Sequence, residues 1–258
     1  MQLFLVGAII LFVVFTATWL VQLKTKNAAI VDPVWSLSFP ILAIVYFLLS
    51  DPATGQVRLL FVAMVVIWGM RLGIHLLMRV LKEEHEDVRY AALRKEWGER
   101  QNIFMLRFYY FQAILAVILS NPFVWVISNT NLQLTAFEVS GIIIWIVAVA
   151  GESIADAQLR SFKADPNNKG KVCDRGLWYY SRHPNYFFEW LIWVSFFVFS
   201  LGSPYGYVSM ICPILMLYFL LKITGIPYTE TQSVKSKGQA YIEYQRTTSA
   251  FVPLPKKK

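Results

Sequence analysis

Leu3-Phe-Leu-Val-Gly-Ala-Ile-Ile-Leu-Phe-Val-Val-Phe-Thr-Ala-Thr-Trp-Leu-Val21 runs without a single charge. A hydrocarbon core about 30 Å thick needs roughly 20 apolar residues of helix to cross it, and this stretch supplies them. It is too long for the apolar centre of a secretory leader, and it lacks a basic start and a small-residue cleavage site. It therefore reads as a retained first span. Similar runs recur near 34–50, 57–78, 108–128, 136–155, 187–201 and 205–223. The sixth is short and meets the seventh at Leu201-Gly-Ser-Pro204-Tyr-Gly206. The pattern gives about seven transmembrane helices, or six if those two form something less regular.

Composition agrees. Of 258 residues, 57% are hydrophobic and 16% charged, whereas soluble domains carry about a quarter charged. The expected fold is all-α, a polytopic membrane helical bundle, one membrane-embedded domain over 1–258. Cys173 and Cys212 have no metal-ligand spacing and suggest neither a disulfide framework nor a metal site.

The positive charges orient the bundle. Lys24 and Lys26 follow the first span. Arg79, Lys82, Arg89, Arg94, Lys95, Arg100 and Arg107 follow the third, and Arg160, Lys163, Lys169, Lys171, Arg175 and Arg182 the fifth. Arg58 alone falls on the other side. Basic residues collect in cytoplasmic loops, which puts the N-terminus outside and the C-terminus inside. The net charge of +8 is then topology and lipid contact, with no nucleic-acid signal. Segment 80–107 mixes both signs at helical spacing and reads as a surface or interfacial helix, solvated scaffold rather than site.

Polar groups converge on the inner ends of the spans. Asp32 opens the second. Arg71, His75 and Arg79 form one stripe of the third, with Arg71 about 12 Å along the axis from Arg79. Snorkelling covers Arg79 but stretches for Arg71, and Asp32 is at comparable depth. The pair is either a structural salt bridge or part of a substrate site. Glu152, Asp156 and Arg160 form a second stripe, followed by Lys163. Arg182-His183-Pro184-Asn185-Tyr186, with Glu189, packs charged and polar groups against the next apolar run, which marks a site candidate. A polar tail follows, with Glu230, Tyr241, Tyr244 and Arg246. Cations, carboxylates and flat rings in this mixture suit a phosphorylated dinucleotide. No glycine-rich fingerprint, P-loop or nucleophile–base pair accompanies them.

The arrangement resembles the membrane-embedded steroid 5-alpha-reductase and sterol-reductase superfamily, and more closely its bacterial branch called DUF1295. The matching stretches are Asp32-Pro-Val-Trp35, Trp68-Gly-Met-Arg71-Leu-Gly-Ile-His75-Leu-Leu-Met-Arg79 and Asp87-Val-Arg89-Tyr90. They continue through Asp156-Ala-Gln-Leu-Arg160-Ser-Phe-Lys163, Asp174 to Trp190, and Glu230 to Pro253. The resemblance implies a multi-pass protein of a bacterial inner membrane. It implies NADPH held on the cytoplasmic side by residues 108–258, and an apolar steroid-, isoprenoid- or lipid-like substrate taken from the bilayer by residues 1–107. The cofactor-contacting set would be Glu152, Asp156, Arg160, Lys163, Arg182, His183, Asn185, Tyr186, Glu189, Glu230, Tyr241, Tyr244 and Arg246.

In the steroid reductases a Glu and a Tyr polarise the enone carbonyl. No pair here matches them directly; Asp32 stands near the Glu and His75 near the Tyr. The expected reaction is reduction of an activated carbon–carbon double bond, with His75 as proton donor and Asp32 or Arg71 fixing its protonation. Tyr90 or a buried water could take its place. Two rival readings remain. Relatives similar to isoprenylcysteine carboxyl methyltransferases bind S-adenosylmethionine with an Arg-His-Pro-type motif and a tail Glu. A non-catalytic transport or assembly protein would use the same groups as an ion path or docking face.

Overall fold

α1 (Gln2–Thr25) shows which solvent the chain is built for. Gly7, Leu11, Phe15, Thr18 and Gln22 are buried at helical spacing, while Leu5, Ile9, Phe12, Val13 and Leu20 stand exposed. A helix that turns large apolar side chains outward is solvated by lipid, where only internally bonded backbone is tolerated. The computed structural model describes residues 2–50, 55–83, 85–130 and 133–256. Among them every named element is helical and no strand occurs.

Among the described residues six segments are long and apolar enough to cross a membrane: Gln2–Thr25, Ala28–Leu48, Gln56–Lys82, Val88–Ser128, Ala136–Ala164 and Gly206–Lys237. The run expected at 187–201 forms a helix of 17 residues, Pro184–Ser200. At about 25 Å it falls short of a hydrocarbon core of about 30 Å. The chain divides into two compact units, Met1–Leu134 with Ser203–Gly206, and Thr135–Gly202 with Tyr207–Lys258. The sequence's division between 107 and 108 falls inside a helix of the first unit.

The first unit continues with α2 (Val31–Leu48), α3 (Gln56–Lys82), α4 (Val88–Trp97), α5 (Gln101–Leu119) and α6 (Asn121–Ser128). Asn27 caps the short turn Ala28–Ile30 by accepting from the Ala29 amide at 3.0 Å, which delivers Asp32 to the first turn of α2. α2 and α3 approach closely because two glycines let them. A Cβ at Gly69 would lie 2.5 Å from Pro40 Cδ, and one at Gly73 2.6 Å from Leu37 Cγ. Small residues at a crossing are the usual means of close packing between helices in lipid. Phe39, Phe61, Trp68 and Phe123, all fully buried, fill the centre with ring-to-ring contacts of 5.5–6.1 Å. α4 begins at Asp87, whose side chain accepts from the Arg89 amide at 2.9 Å.

The second unit holds α7 (Ala136–Ala164), α8 (Leu177–Tyr180), α9 (Pro184–Ser200), α10 (Ile211–Tyr218), α11 (Ile226–Lys237) and α12 (Gln239–Thr247). Thr135 and Glu138 close a capping box on α7. α7 lies against α9, where a Cβ at Gly141 would stand 2.9 Å from the Phe199 backbone nitrogen. Pro184 occupies the first turn of α9, where its missing N–H costs nothing. A π-helical turn, Phe219–Ile223, leads from α10 to α11.

The α2–α3 crossing generates a stability prediction. Gly69→Val should destabilise by about 1–3 kcal/mol, because the rigid Pro40 ring cannot yield. Ile67→Ala, on the same helix but 53% exposed, should be nearly silent. Thermal unfolding of purified protein in detergent measures both. An unshifted midpoint for Gly69→Val would mean that the crossing is loose.

Candidate functional site

Each unit carries a cluster of charged and polar side chains among the described residues. In the first it surrounds Asp32. Arg89 Nη2 donates to Asp32 Oδ2 at 2.7 Å, and the Tyr90 hydroxyl donates to Oδ1 at 2.5 Å. Arg89 also grips Asp87, through Nε at 2.9 Å and Nη2 at 3.1 Å, and Asp87 accepts from Arg79 as well. Burial works against the Asp87 charge. The bonds from Arg89 and the charges of Arg89 and Arg79 outweigh it and hold that carboxyl below its ordinary range. Tyr90 is only 3% exposed and Arg89 lies 5.3 Å over its ring.

A second layer supports this cluster. Glu86 accepts from the Ala28 amide at 2.6 Å and from Arg94 Nε at 2.8 Å. Arg94 Nη2 reaches Gln22 at 2.7 Å, and the Tyr109 hydroxyl donates to the Ala28 carbonyl at 2.7 Å. Segment 80–107 is therefore not the solvated scaffold its mixed charge suggested. Its residues Arg89 and Tyr90 supply the partners of Asp32 that depth alone had assigned to Arg71. The reason is physical. A carboxylate at the membrane edge is satisfied by whichever donors the interfacial helix can lower onto it, and Arg89 with Tyr90 opens that helix. Arg71 and His75 lie half-buried on α3.

In the second unit the cluster forms where α8 hands over to α9. Arg182 Nε donates to Glu230 Oε1 at 2.6 Å, and its Nη1 donates to the carbonyls of Gln245, at 3.0 Å, and Thr248. His183 Nε2 lies 3.3 Å from the same Glu230 oxygen, and Gln245 Nε2 donates to the other at 2.9 Å. The tail runs alongside. The Arg182 amide donates to Ser249 at 2.8 Å, Ser181 Oγ to Phe251 at 2.7 Å, and the Leu254 amide to Tyr180 at 3.0 Å. Phe251 packs on Phe187 and Trp190. Tyr244 donates to the Trp178 carbonyl. Burial pushes the Tyr241 phenol to about 12 and raises the Tyr244 phenol as well, so both tyrosines keep their protons.

Of the residues named from sequence, Arg182, His183, Glu230, Tyr241 and Tyr244 thus meet, and Tyr186 stacks on His183 at 5.4 Å between ring centres. Glu189 is buried and accepts from Trp193 at 3.1 Å. Asn185, at the start of α9, has a buried Oδ1 with no hydrogen-bond partner. Glu152 is buried on α7 and Asp156 half-buried one turn on, while Arg160 and Lys163 are exposed. Arg246 turns outward, its side chain 68% exposed and 3.5 Å from Glu243. It stands apart from the cluster.

Sequence reasoning missed Gln245, Arg89 and Glu86. A glutamine in a polar tail carries no signal of its own, whereas Arg89 lies inside one of the conspicuous stretches. The donor set fits NADPH in kind. Asn185, Asp156 and Glu189 offer acceptors to hydroxyl and amide groups, and Arg160 and Lys163 offer exposed cations to phosphates. Arg182 fits less well, because its guanidinium already binds Glu230 and the tail.

The family described as a protein of unknown function, DUF1295, matches residues 18–248. An uncharacterized protein of the fission yeast Schizosaccharomyces pombe is 25% identical over 228 residues. The match covers 76% of this chain and 64% of the relative, so the chain spans less than two thirds of that protein's length. The relative is fungal, which lends no support to a bacterial inner membrane in particular. No solved structure matches the chain.

The Arg182–Glu230 pair has side chains only 9% and 16% exposed. Glu230→Gln leaves a buried guanidinium uncompensated and should cost about 3–5 kcal/mol, whereas Arg246→Ala should stay within about 0.5 kcal/mol. Melting curves in detergent separate the two. His183 adds a pH dependence. Burial pushes its imidazole below 6.5 against the pull of Glu230. As pH falls below 6.5 the unfolded chain gains a proton that the folded ring refuses. Stability should fall through that interval, down to the lower folded value, and the slope should flatten in His183→Gln. A parent melting point independent of pH between 7.5 and 5 would contradict the assignment.

Proposed function

The chain belongs to the DUF1295 family, and from that premise we propose an NADPH-dependent integral-membrane reductase of an activated carbon–carbon double bond. The substrate is apolar, steroid-, isoprenoid- or lipid-like, and enters from the bilayer. The observation that carries this reading is the hydrogen bond from Tyr90 to Asp32 in the first unit. An acid and a tyrosine are the residue types with which the steroid reductases polarise a carbonyl.

The chemistry of the pair supports the role. A carbonyl conjugated to the double bond gathers negative charge on oxygen as the distant carbon is reduced, and a positioned donor stabilises that charge. Tyr90 is such a donor, oriented by Asp32. Arg89 bonds the other oxygen of Asp32 at 2.7 Å, so the carboxylate stays compensated when the tyrosine turns to a substrate. Tyr90 thereby takes the place that His75 held first in the sequence reading. NADPH, when bound, supplies the hydride. In the second unit Asn185, Asp156, Glu189 and Glu152 are the groups for its hydroxyls and amide, and Arg160 and Lys163 those for its phosphates. The cofactor lies on the cytoplasmic side, with the N-terminus outside.

A second reading, an S-adenosylmethionine-dependent methyltransferase, is favoured by one observation. Arg182 and His183 share the tail carboxylate of Glu230, as an Arg-His-Pro motif with a tail Glu would.

Calorimetric titration of purified protein with each cofactor discriminates the two readings. NADPH should bind and S-adenosylmethionine should not, and Asn185→Ala should weaken NADPH at an unchanged melting temperature. In an assay of NADPH oxidation over a panel of enones, Tyr90→Phe should lower turnover by about 10²–10⁴ with cofactor affinity retained. His75→Phe should stay near the parent rate. The reverse ranking of those two variants would return the donor role to His75, and S-adenosylmethionine binding alone would overturn the reductase.

A further inference from the structure

Gln22 is fully buried near the end of α1, and the proposed reaction has not used it. Its side-chain oxygen accepts from Arg94 Nη2 at 2.7 Å. Its Nε2, also buried, finds no hydrogen-bond partner among the described residues. The two ends of a carboxamide have nearly the same shape, but here the neighbour decides between them. A guanidinium can only donate, so the atom against Arg94 is the oxygen and the unmet atom is the NH2 group. A buried donor left without an acceptor is destabilising, and such a group calls for a reason.

Its position in the first unit suggests one. Two rungs join α4 and the residues just before it to the stretch Ala28–Asp32. On one rung Tyr90 donates to Asp32. On the other, Glu86 accepts from the Ala28 amide and from Arg94, and Arg94 holds Gln22. Ala28 and Asp32 are four residues apart, as are Tyr90 and Arg94, so the rungs lie about 6 Å apart along the helices. The free NH2 group thus belongs to the rung one helical turn from the Tyr90–Asp32 pair. A buried water needs about two to four polar partners, and the groups around Gln22 are already spent on one another. Glu86 is taken by Ala28 and Arg94, Arg94 also meets Gln101 at 3.2 Å, and the Ala28 carbonyl takes the Tyr109 hydroxyl.

We infer that Gln22 is a substrate-binding residue, donating to a second acceptor oxygen that the substrate carries about one helical turn from its conjugated carbonyl. The inference rests on the reductase reading for the role of Tyr90, and it narrows the substrate class. An apolar molecule whose only oxygen is the carbonyl would leave the donor unmet. One with a further hydroxyl, ether or carbonyl oxygen satisfies both rungs. A site built to bond an oxygen rejects the analogue that lacks it, because its own polar group is then left unpaired.

Calorimetric titration of the full chain in detergent tests the inference, without NADPH so that no turnover intervenes. One probe is a cyclohexenone with an octyl chain and a methoxy group on the carbon opposite the carbonyl. The other is its ethyl counterpart, of the same shape but without the second oxygen. The parent should bind the methoxy probe about tenfold more tightly, the size of one buried hydrogen bond. Gln22→Leu should abolish that difference by weakening the methoxy probe alone. Gln22→Glu keeps Arg94 paired and puts an acceptor where the donor stood, so it should weaken the methoxy probe as well. It decides the matter if Gln22→Leu does not fold. Equal affinities in the parent, binding of neither probe, or full retention of the preference by Gln22→Glu would overturn the contact. The reductase reading fails separately. A parent that prefers the methoxy probe through Gln22, yet oxidises no NADPH with it, upholds the contact and counts against reduction.

Discussion

A charge held at the edge of a hydrocarbon layer must bring its own partners, because there is no bulk water to supply them. Both units of this chain are organised around that constraint. Asp32, at the mouth of α2, draws Arg89 and Tyr90 from the start of α4. Arg182, at the mouth of α9, draws Glu230 from α11 and the carbonyls of Gln245 and Thr248. In each case a polar segment that would otherwise float in the interface is pulled onto the end of a buried helix. The interior can then be apolar almost throughout. Its crossings are set by glycines at 69, 73 and 141, which leave no room for a side chain.

The same constraint explains why the polar clusters are candidates for chemistry. Away from water a hydrogen bond is electrostatically stronger and an unmet group more costly. Tyr90, only 3% exposed, is held to Asp32 by such a bond. The orphaned Oδ1 of Asn185 is the converse. It is an acceptor that the protein leaves unmet at the start of a helix, and such an atom needs a reason. A ligand amide or hydroxyl supplies one.

Much of the fold was legible because apolar runs have a physical length. The stretches at 2–22, 57–78 and 136–155 became helices that fit a bilayer, and the motif at Arg182 marked a real cluster. Pairing was less legible. Periodicity places Arg71, His75 and Arg79 on one stripe of α3, but it says nothing about what descends onto Asp32 from another helix. The mixed charges around Arg89 hid a bonded pair behind the signature of a solvated surface. Side-chain direction was not legible either. Arg246 sits in the right tail, but α12 turns it outward while the neighbouring Gln245 faces Glu230.

That last contrast bears on how the motif should be read. Arg182 carries the hallmark chemistry of anion recognition, yet its bonds go to Glu230 and to two tail carbonyls. What they accomplish is the closure of residues 248–256 along Tyr180–Arg182. That closure involves no cofactor, so the arginine and its glutamate do not separate the two readings. Cofactor choice then rests on the groups that the closure positions but does not consume, Asn185 above all. Reaction type rests on the other unit, where an acid and a tyrosine are already joined. A methyl transfer has no evident need for a carbonyl-polarising pair there, whereas reduction of a conjugated double bond does, which is why Tyr90 weighs more in the functional reading than the more conspicuous Arg182.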